Sequence, residues 1–436
     1  MSETPPQLIR TFGRWSLVAL MVNSIIGAGI FGLPSLLAAR LGGYSVIASL
    51  LAGAGMLVIA GSIAEVASRF EQTGGLYLYA RVALGRFAGL LAGWLIWLTR
   101  IAAPAAAADL FATYAGQFFP MLRGRSREIV VIAILIGHLA AINYIGVKMG
   151  KVVSNTFTAV KVGILTTFIL SGFGWLAFHS QLRVPLSFAP ASAKSWFEAL
   201  LLLVFAYGGF EGALIVGGES SSPKKDMPFA LLSALVLQCF IYTGVIYVVV
   251  GTLSGAGASE RPLADSAERF LGGWAAAGVG VAALISTYGY LSANLLHSPR
   301  IAFALSEQGD FPRFLSGVHR RFRTPHFSIL LYTAALFAFA AMGSFRWNAT
   351  LSAVSRLVVY GAIAIALPVL RKRSGPAPFS IRAGMFCSGA TLVIAFVLLS
   401  RMGRGEAIVI AVTTFMALAN WIWVRGHTGH IGSQSC

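Results

Sequence analysis

The chain contains about twelve stretches of roughly 20 mostly apolar residues, each long enough to cross about 30 Å of hydrocarbon as a helix. They fall near 15–39, 43–68, 85–118, 129–146, 152–175, 196–220, 229–254, 272–306, 326–343, 348–370, 383–400 and 405–424. Of the 436 residues 57% are hydrophobic and only 11% charged, where a soluble domain carries about 25% charged residues. So few charges cannot cover a water-soluble surface, which excludes a soluble enzyme and a disordered chain. Only three cysteines occur, Cys239, Cys387 and Cys436, which excludes a disulfide scaffold. The net charge of +18 would fit a nucleic-acid binder, yet the basic residues sit in short clusters between apolar stretches and form no basic face. The expected partner is therefore the bilayer and not nucleic acid. The fold class is an all-α integral membrane protein of about twelve transmembrane helices.

The segments between spans are too short for a separate domain, so 1–436 reads as a single transmembrane domain. The first span is too long and too glycine-broken for a removable signal sequence. With twelve spans and the N-terminus in the cytoplasm, 19 of the 33 Lys and Arg residues fall in cytoplasmic loops and tails and 11 on the outer side. That bias places both termini inside, with the Arg123–Arg127 cluster pulling mildly the other way.

A helix in lipid must satisfy its own backbone hydrogen bonds, so glycine-rich interruptions at mid-span carry information. The first span reads NSIIGAGIFGLP (Asn23–Pro34), with Gly27, Gly29 and Gly32 near the midplane. The sixth reads FAYGGFEG (Phe205–Gly212), with Gly208, Gly209 and Gly212 at a similar depth. One such cluster is explained as well by close helix packing. Two, in matching positions of two five-span halves, point to an inverted-repeat transporter with its site at the midplane. Unwinding frees N–H groups at the start of one half-helix, which can hold a carboxylate, and C=O groups at the end of the other, which can hold an ammonium. Two facing breaks suit a zwitterion.

The same residues carry a resemblance. The sequence resembles the amino acid–polyamine–organocation (APC) superfamily, and within it the bacterial amino acid permeases. Four ordered stretches over roughly residues 15–330 carry the match. They are IIGAGIF in span one, the region from Glu65 through GGLYLYARVALG (Gly74–Gly85), FAYGGFEGALIVGGESSSPKKDMP (Phe205–Pro228) and SANLLHSPRIAFALSEQGDFP (Ser292–Pro312), the last followed by Thr324-Pro325. The resemblance implies a LeuT-type fold with repeats over 15–175 and 196–370, two additional helices over 383–424, and alternating access. It implies a substrate site between spans one and six. There Gly27, Ala28 and Gly29 would offer N–H groups to the substrate carboxylate. Ile25, Ile26, Phe205, Ala206 and Tyr207 would offer carbonyls to its amine, with Gly208 in the same break. Phe205 would be the aromatic gate on the outer side.

Charges within spans are costly unless paired, snorkelled or neutralised. Lys161 lies roughly 15 Å along span five at 1.5 Å per residue, too deep to snorkel, and so faces the bundle interior. The resemblance implies that Lys161 stands where sodium-coupled relatives hold their ion, bracing the carbonyls of span one and making sodium coupling unnecessary. Lys161 is also a candidate proton carrier. Glu211, just after the second break, is either a proton-linked gate or a hydrogen-bonded structural carboxyl. Arg100 and Asp109 lie half a turn out of phase on span three and need other partners. Ser286, Tyr290 and Asn294 recur every four residues on span eight as a polar stripe. Glu65 and Arg69 form an i,i+4 pair, and Glu219, Lys224 and Lys225 flank Pro223 in what reads as the loop leaving span six. The resemblance implies that these segments help to close the inner gate; a solvated charged rim is the alternative.

No Cys/His grouping has metal-ligand spacing, His297 and His326 stand singly, and no cofactor is expected. No GxxxxGK[ST] loop is present, which excludes ATP-driven transport by this chain. A membrane-embedded transferase would need polar residues clustered at one interface, and none are. The function read from the sequence is secondary transport of amino acids across a bacterial inner membrane. It is sodium-independent and works by proton symport or by exchange. The apolar side chains of Ile25, Ile26 and Ala28 favour a neutral amino acid. A polyamine or other organic cation, or an amino acid sensor, is the competing reading.

Overall fold

A computed structural model of the chain describes residues 13–71, 74–146, 151–215, 220, 222–307 and 309–428, the side chains at 151–160 and 425–428 excepted. Glu219, Lys148 and Cys436 lie outside the described residues. The elements are helices: α1 (Arg14–Ile25), α2 (Gly29–Leu41), α3 (Tyr44–Ala67), α4 (Gly75–Leu84), α5 (Arg86–Phe118), α6 (Arg125–Ile145), α7 (Lys151–Phe178) and α8 (Ala193–Tyr207). They continue with α9 (Glu211–Ile215), α10 (Pro223–Thr252), α11 (Pro262–Leu271), α12 (Gly273–Glu307), α13 (His326–Met342), α14 (Phe345–Ser374), α15 (Gly384–Leu399) and α16 (Arg404–Thr428).

Eight of these are long and apolar enough to span a bilayer, and α1 with α2 makes a further, bent span. Helices α13 and α15 are apolar but short, at 17 and 16 residues. With α8 and α9 taken as the second broken span, the order matches the expected twelve.

Local chemistry sets most boundaries. Gly85 at φ +97° separates α4 from α5, so what reads as a span from residue 85 starts cleanly at Arg86. Ser192 and Ser344 cap α8 and α14, each accepting a hydrogen bond from the N–H three residues on. The expected loop at Pro223 is instead the first turn of α10, where a proline's missing N–H costs nothing. Span seven thus starts six residues earlier than its hydropathy indicates, because Lys224, Lys225 and Asp226 mask the first turn. The short helix α11, strongly two-faced, was not legible as a span and lies between α10 and α12.

Helices α5 and α14 form the centre, 72% and 67% of their most apolar windows being buried, against 17% for α16. On the outer helices large apolar side chains face outward, among them Ile134, Leu170, Phe396 and Phe415. Bare hydrocarbon of that extent is what a bilayer covers.

Polar ties close both ends of the bundle. At the face where α1 begins, Arg371 of α14 donates two hydrogen bonds of 2.7 Å to Glu65 of α3, which also accepts from the Ile381 N–H. Arg69, the expected partner of Glu65, is farther off at 3.9 Å. Asp310 joins Arg81 (3.0 Å), Arg86 (2.9 Å) and Tyr77 (2.6 Å), and its carbonyl accepts from Asn420 (2.5 Å). Lys224 meets Glu71 at 2.8 Å in the exposed rim. At the opposite face Glu198 bridges Arg40 (3.0 Å) and Arg346 (2.8 Å). Asp109 finds Arg125 at 2.9 Å, and Arg125 also caps the carbonyls of Ala340, Ala341 and Gly343 at the end of α13.

Candidate substrate site

The two breaks touch. Between α1 and α2 the axis bends by 52°, with Ile26 left extended (φ −69°, ψ 91°). The carbonyl of Ala28 accepts the first bonds of α2, from Phe31 and Gly32. Among the described residues, the N–H groups of Gly27, Ala28, Gly29 and Ile30 donate to no backbone carbonyl. In the other span α8 ends at Tyr207, Gly208 is extended, Gly209 has φ +122° and α9 starts at Glu211. A side chain at Gly209 would be strained by its backbone angle, and its Cβ would also collide with the Ser24 carbonyl oxygen. A Cβ on Gly29 would lie 3.2 Å from the Ala206 Cα. The glycines therefore let the two unwound backbones lie directly on each other.

The carbonyls at the end of α1 already have donors. Lys161 of α7, 3% exposed, reaches the Ile26 oxygen at 3.2 Å and Asn23 Oδ1 at 3.4 Å. The Tyr242 hydroxyl of α10 donates to the Ile25 oxygen at 3.4 Å. The side chains of Ile25, Ile26 and Ala28 are buried among the helices. Phe205 stands beside Gly29 and meets Phe345 edge-on with centroids 6.2 Å apart. Tyr207 turns away to α3, where its hydroxyl donates to the Ser49 carbonyl at 3.0 Å.

Below the second break, toward the face where α1 begins, lies a charged cluster. Glu211 Oε2 accepts from the Gly209 N–H at 2.9 Å, holding the break open from within. Its Oε1 accepts from the Tyr360 hydroxyl and lies 3.0 Å from Arg356 Nε. That nitrogen is near enough for an ion pair, but its N–H is misaligned and makes no hydrogen bond among the described residues. The Arg356 guanidinium lies flat on Gly208, where a Cβ would fall 2.6 Å from it. Arg100 of α5 meets Gly212 end-on, its Nη2 2.5 Å from where a Cβ would stand, and donates weakly to Asn294 Oδ1 at 3.4 Å. Its Nη2 is buried without a partner among the described residues. Thr99, Arg100, Glu211, Arg356 and Tyr360, with an apolar wall of Leu76, Ile96 and Val359, line a narrow gap of about 10 Å³, room for about one water molecule. On the other side of the breaks a second gap, also of about 10 Å³, is lined by Gly29, Ala206, Tyr242 and aliphatic side chains.

Tyr290 of the polar stripe packs its ring on Gly27, and Asn294 serves Arg100. Ser286 makes no hydrogen bond among the described residues. Sequence reasoning missed Tyr242, Tyr360 and above all Arg356. The only available signal for Arg356 was an arginine within an apolar run, with no spacing rule tying it to Glu211. No group of His, Cys, Asp and Glu among the described residues could hold a metal ion.

A multi-pass helical protein with two unwound helices in contact inside the bundle has the architecture of a secondary transporter. The sequence pattern of the amino acid permease family matches residues 12–428, and the chain belongs to that family, within the APC superfamily. The chain is 28% identical over 385 residues to a methylthioribose transporter of Bacillus subtilis, covering 84% of this chain and 82% of that one. It is 28% identical over 375 residues to a serine/threonine exchanger of the same organism, covering 84% of each. To a branched-chain amino acid permease, also from Bacillus subtilis, it is 24% identical over 408 residues, covering 88% and 85%. The family and these relatives are transporters and not enzymes, and they support transport of small molecules such as amino acids.

Proposed function

We propose that this chain moves an amino acid across a bacterial plasma membrane by alternating access, without sodium, with both termini in the cytoplasm. The observation that carries the reading is the contact of the two breaks. It sets the free N–H groups of Gly27, Ala28 and Gly29 beside the last turn of α8. The substrate carboxylate takes those N–H groups. Its amine takes carbonyl lone pairs from Ile25, Ile26 and the Phe205–Gly208 turn, and Phe205 covers it with Phe345 behind. The Lys161 ammonium at the Ile26 carbonyl supplies the fixed cation that makes a sodium ion redundant.

The coupling mode is exchange or proton symport, and the likeness to a serine/threonine exchanger favours exchange. Lys161 is the proton carrier if transport is proton-linked. The relatives' names span hydroxylated and branched-chain amino acids and methylthioribose, so the likeness does not select a side chain. The neutral preference rested on Ile25, Ile26 and Ala28. These side chains are packed away, and the gap beneath the breaks is lined by other groups.

Counterflow in sodium-free proteoliposomes preloaded with single amino acids tests the reading. Saturable, stereoselective exchange is the expected result. No flux of any amino acid in folded protein, or flux only with sodium, would overturn it.

A further inference from the structure

We propose that Arg100 and Arg356 form an anion subsite beneath the break of span six, and that the transported amino acid is dicarboxylic. The proposal rests on the amino acid reading above and adds the side chain that this site selects.

The cluster carries two guanidinium groups and a single carboxylate. Glu211 pairs with Arg356, so two cations share one carboxylate, and Arg100 makes no ion pair among the described residues, its side-chain hydrogen bond going to the neutral Asn294 amide. An uncompensated cation at mid-membrane is among the costliest arrangements a bundle can hold, and it is retained where it meets a ligand or an ion. Two guanidinium donors, Arg100 Nη2 and Arg356 Nε, are buried without hydrogen bonds, although neighbouring polar groups are within reach. Arg356 is itself 5% exposed. Both groups border the same gap, and their two unpaired N–H groups are donors.

The glycines bring the subsite directly against the breaks. Gly208 and Gly212 carry no side chain to hold the guanidinium groups off the backbone, and Gly209 next door lies on span one. Only the glycine turn therefore separates an α-carboxylate on the N–H groups of α2 from the two arginines, and a side chain directed across Gly208 would displace the guanidinium that now packs there. A carboxylate there completes planar N–H···O pairing, the geometry for which guanidinium is suited. The charge of the cluster itself also closes: it is +1, and a dicarboxylic amino acid is −1. A cationic substrate would add to the excess.

The other titratable groups nearby do not compensate Arg100. Tyr290 and Tyr360 are phenols, His297 is on the same helix as Asn294, and Lys161 lies behind span one and is a further cation.

The test is counterflow with L-glutamate, L-aspartate, L-serine, L-leucine and putrescine in the full-length protein. It is paired with ligand-induced thermal stabilisation of wild type, Arg100→Gln and Arg100→Lys. The expected result is saturable exchange of glutamate or aspartate at least tenfold more efficient than of serine or leucine. Arg100→Gln should raise the half-saturation constant for the dicarboxylate at least tenfold, and Arg100→Lys should partly restore it. Efficient exchange of serine or leucine with no dicarboxylate flux would overturn the subsite and leave amino acid transport standing. Exchange of putrescine alone, or of nothing, would overturn both. If Arg100→Gln does not fold, the wild-type substrate ranking still decides.

Discussion

The two broken spans solve the same problem in opposite ways. In the first, the exposed carbonyls are satisfied from outside, by Lys161 and Tyr242 from other helices, while the following N–H groups stay free. In the second, the break is pinned by its own chain, Glu211 turning back onto the Gly209 N–H. The carboxylate that does this must itself be neutralised, and that requirement brings Arg356 and Tyr360 to the spot. A break supported from outside is available to a ligand's carboxylate. A break supported from within imports charge into the core. The two together give the site its polarity.

The contrast can be broken most forcefully at Glu211. Glu211→Ala frees the Gly209 N–H and strands Arg356 beside Arg100. Removing one partner of a buried pair costs about 3–5 kcal/mol, so thermal unfolding should move far down and counterflow should vanish. The double variant Glu211→Gln/Arg356→Gln should recover part of that stability while remaining inactive. Gly209→Ala comes next, with the left-handed backbone angle alone costing roughly 1–3 kcal/mol and the collision with Ser24 pushing the breaks apart; flux should be lost in protein that still folds. Gly27→Ala, whose Cβ meets only the edge of the Tyr290 ring at 3.3 Å, should be milder by comparison.

Lys161→Met removes the donor at Ile26 and tests the first break alone. A hydrogen bond from a charged group is worth about 1.5–3 kcal/mol, and stability should fall by that order. If Lys161 carries the coupled proton, the variant should also lose the pH dependence of uptake while retaining exchange; an unchanged pH profile makes Lys161 a brace. Tyr242→Phe should cost least, about 0.5–1.5 kcal/mol at most, its hydrogen bond being long at 3.4 Å.

A last effect, of pH, lies outside the candidate spans. The Tyr77 phenol is pushed up from 10.0 to about 12, by burial first and then by Asp310. The folded chain therefore keeps a proton that the unfolded chain releases, and stability should fall as pH rises through that interval and be insensitive below it. A Tyr77→Phe variant should lack this step in a pH-dependent melting series.

The spans and both breaks were legible because their signals are local. Apolar length marks a crossing, and glycine at mid-depth marks an unwound turn. The partners of Arg100 and Asp109 were not legible, because Asn294 and Arg125 come from other helices and no periodicity relates them. Glu65 was legible in part: its i,i+4 pair with Arg69 is present at 3.9 Å, while its closer partner, Arg371, lies far along the chain. Sequence reading also took the character of the site from the side chains of Ile25, Ile26 and Ala28. An unwound segment offers its backbone, and the side chains that decide specificity are supplied by the helices packed against it.

Glu198 at the far face has a consequence for the medium rather than for the substrate. One carboxylate serves two arginines, from the end of α2 and the start of α14, with Arg346 about half exposed. Attraction between charges that water can reach fades over a Debye length of about 8 Å at physiological ionic strength, and faster in brine. The Glu65 and Asp310 ties at the other end are buried at the carboxylate and feel this far less. The two ends of the bundle therefore answer unequally to salt. Dissolved ions at the Glu198 face weaken that end's clasp more than the other, with no binding site for any of them.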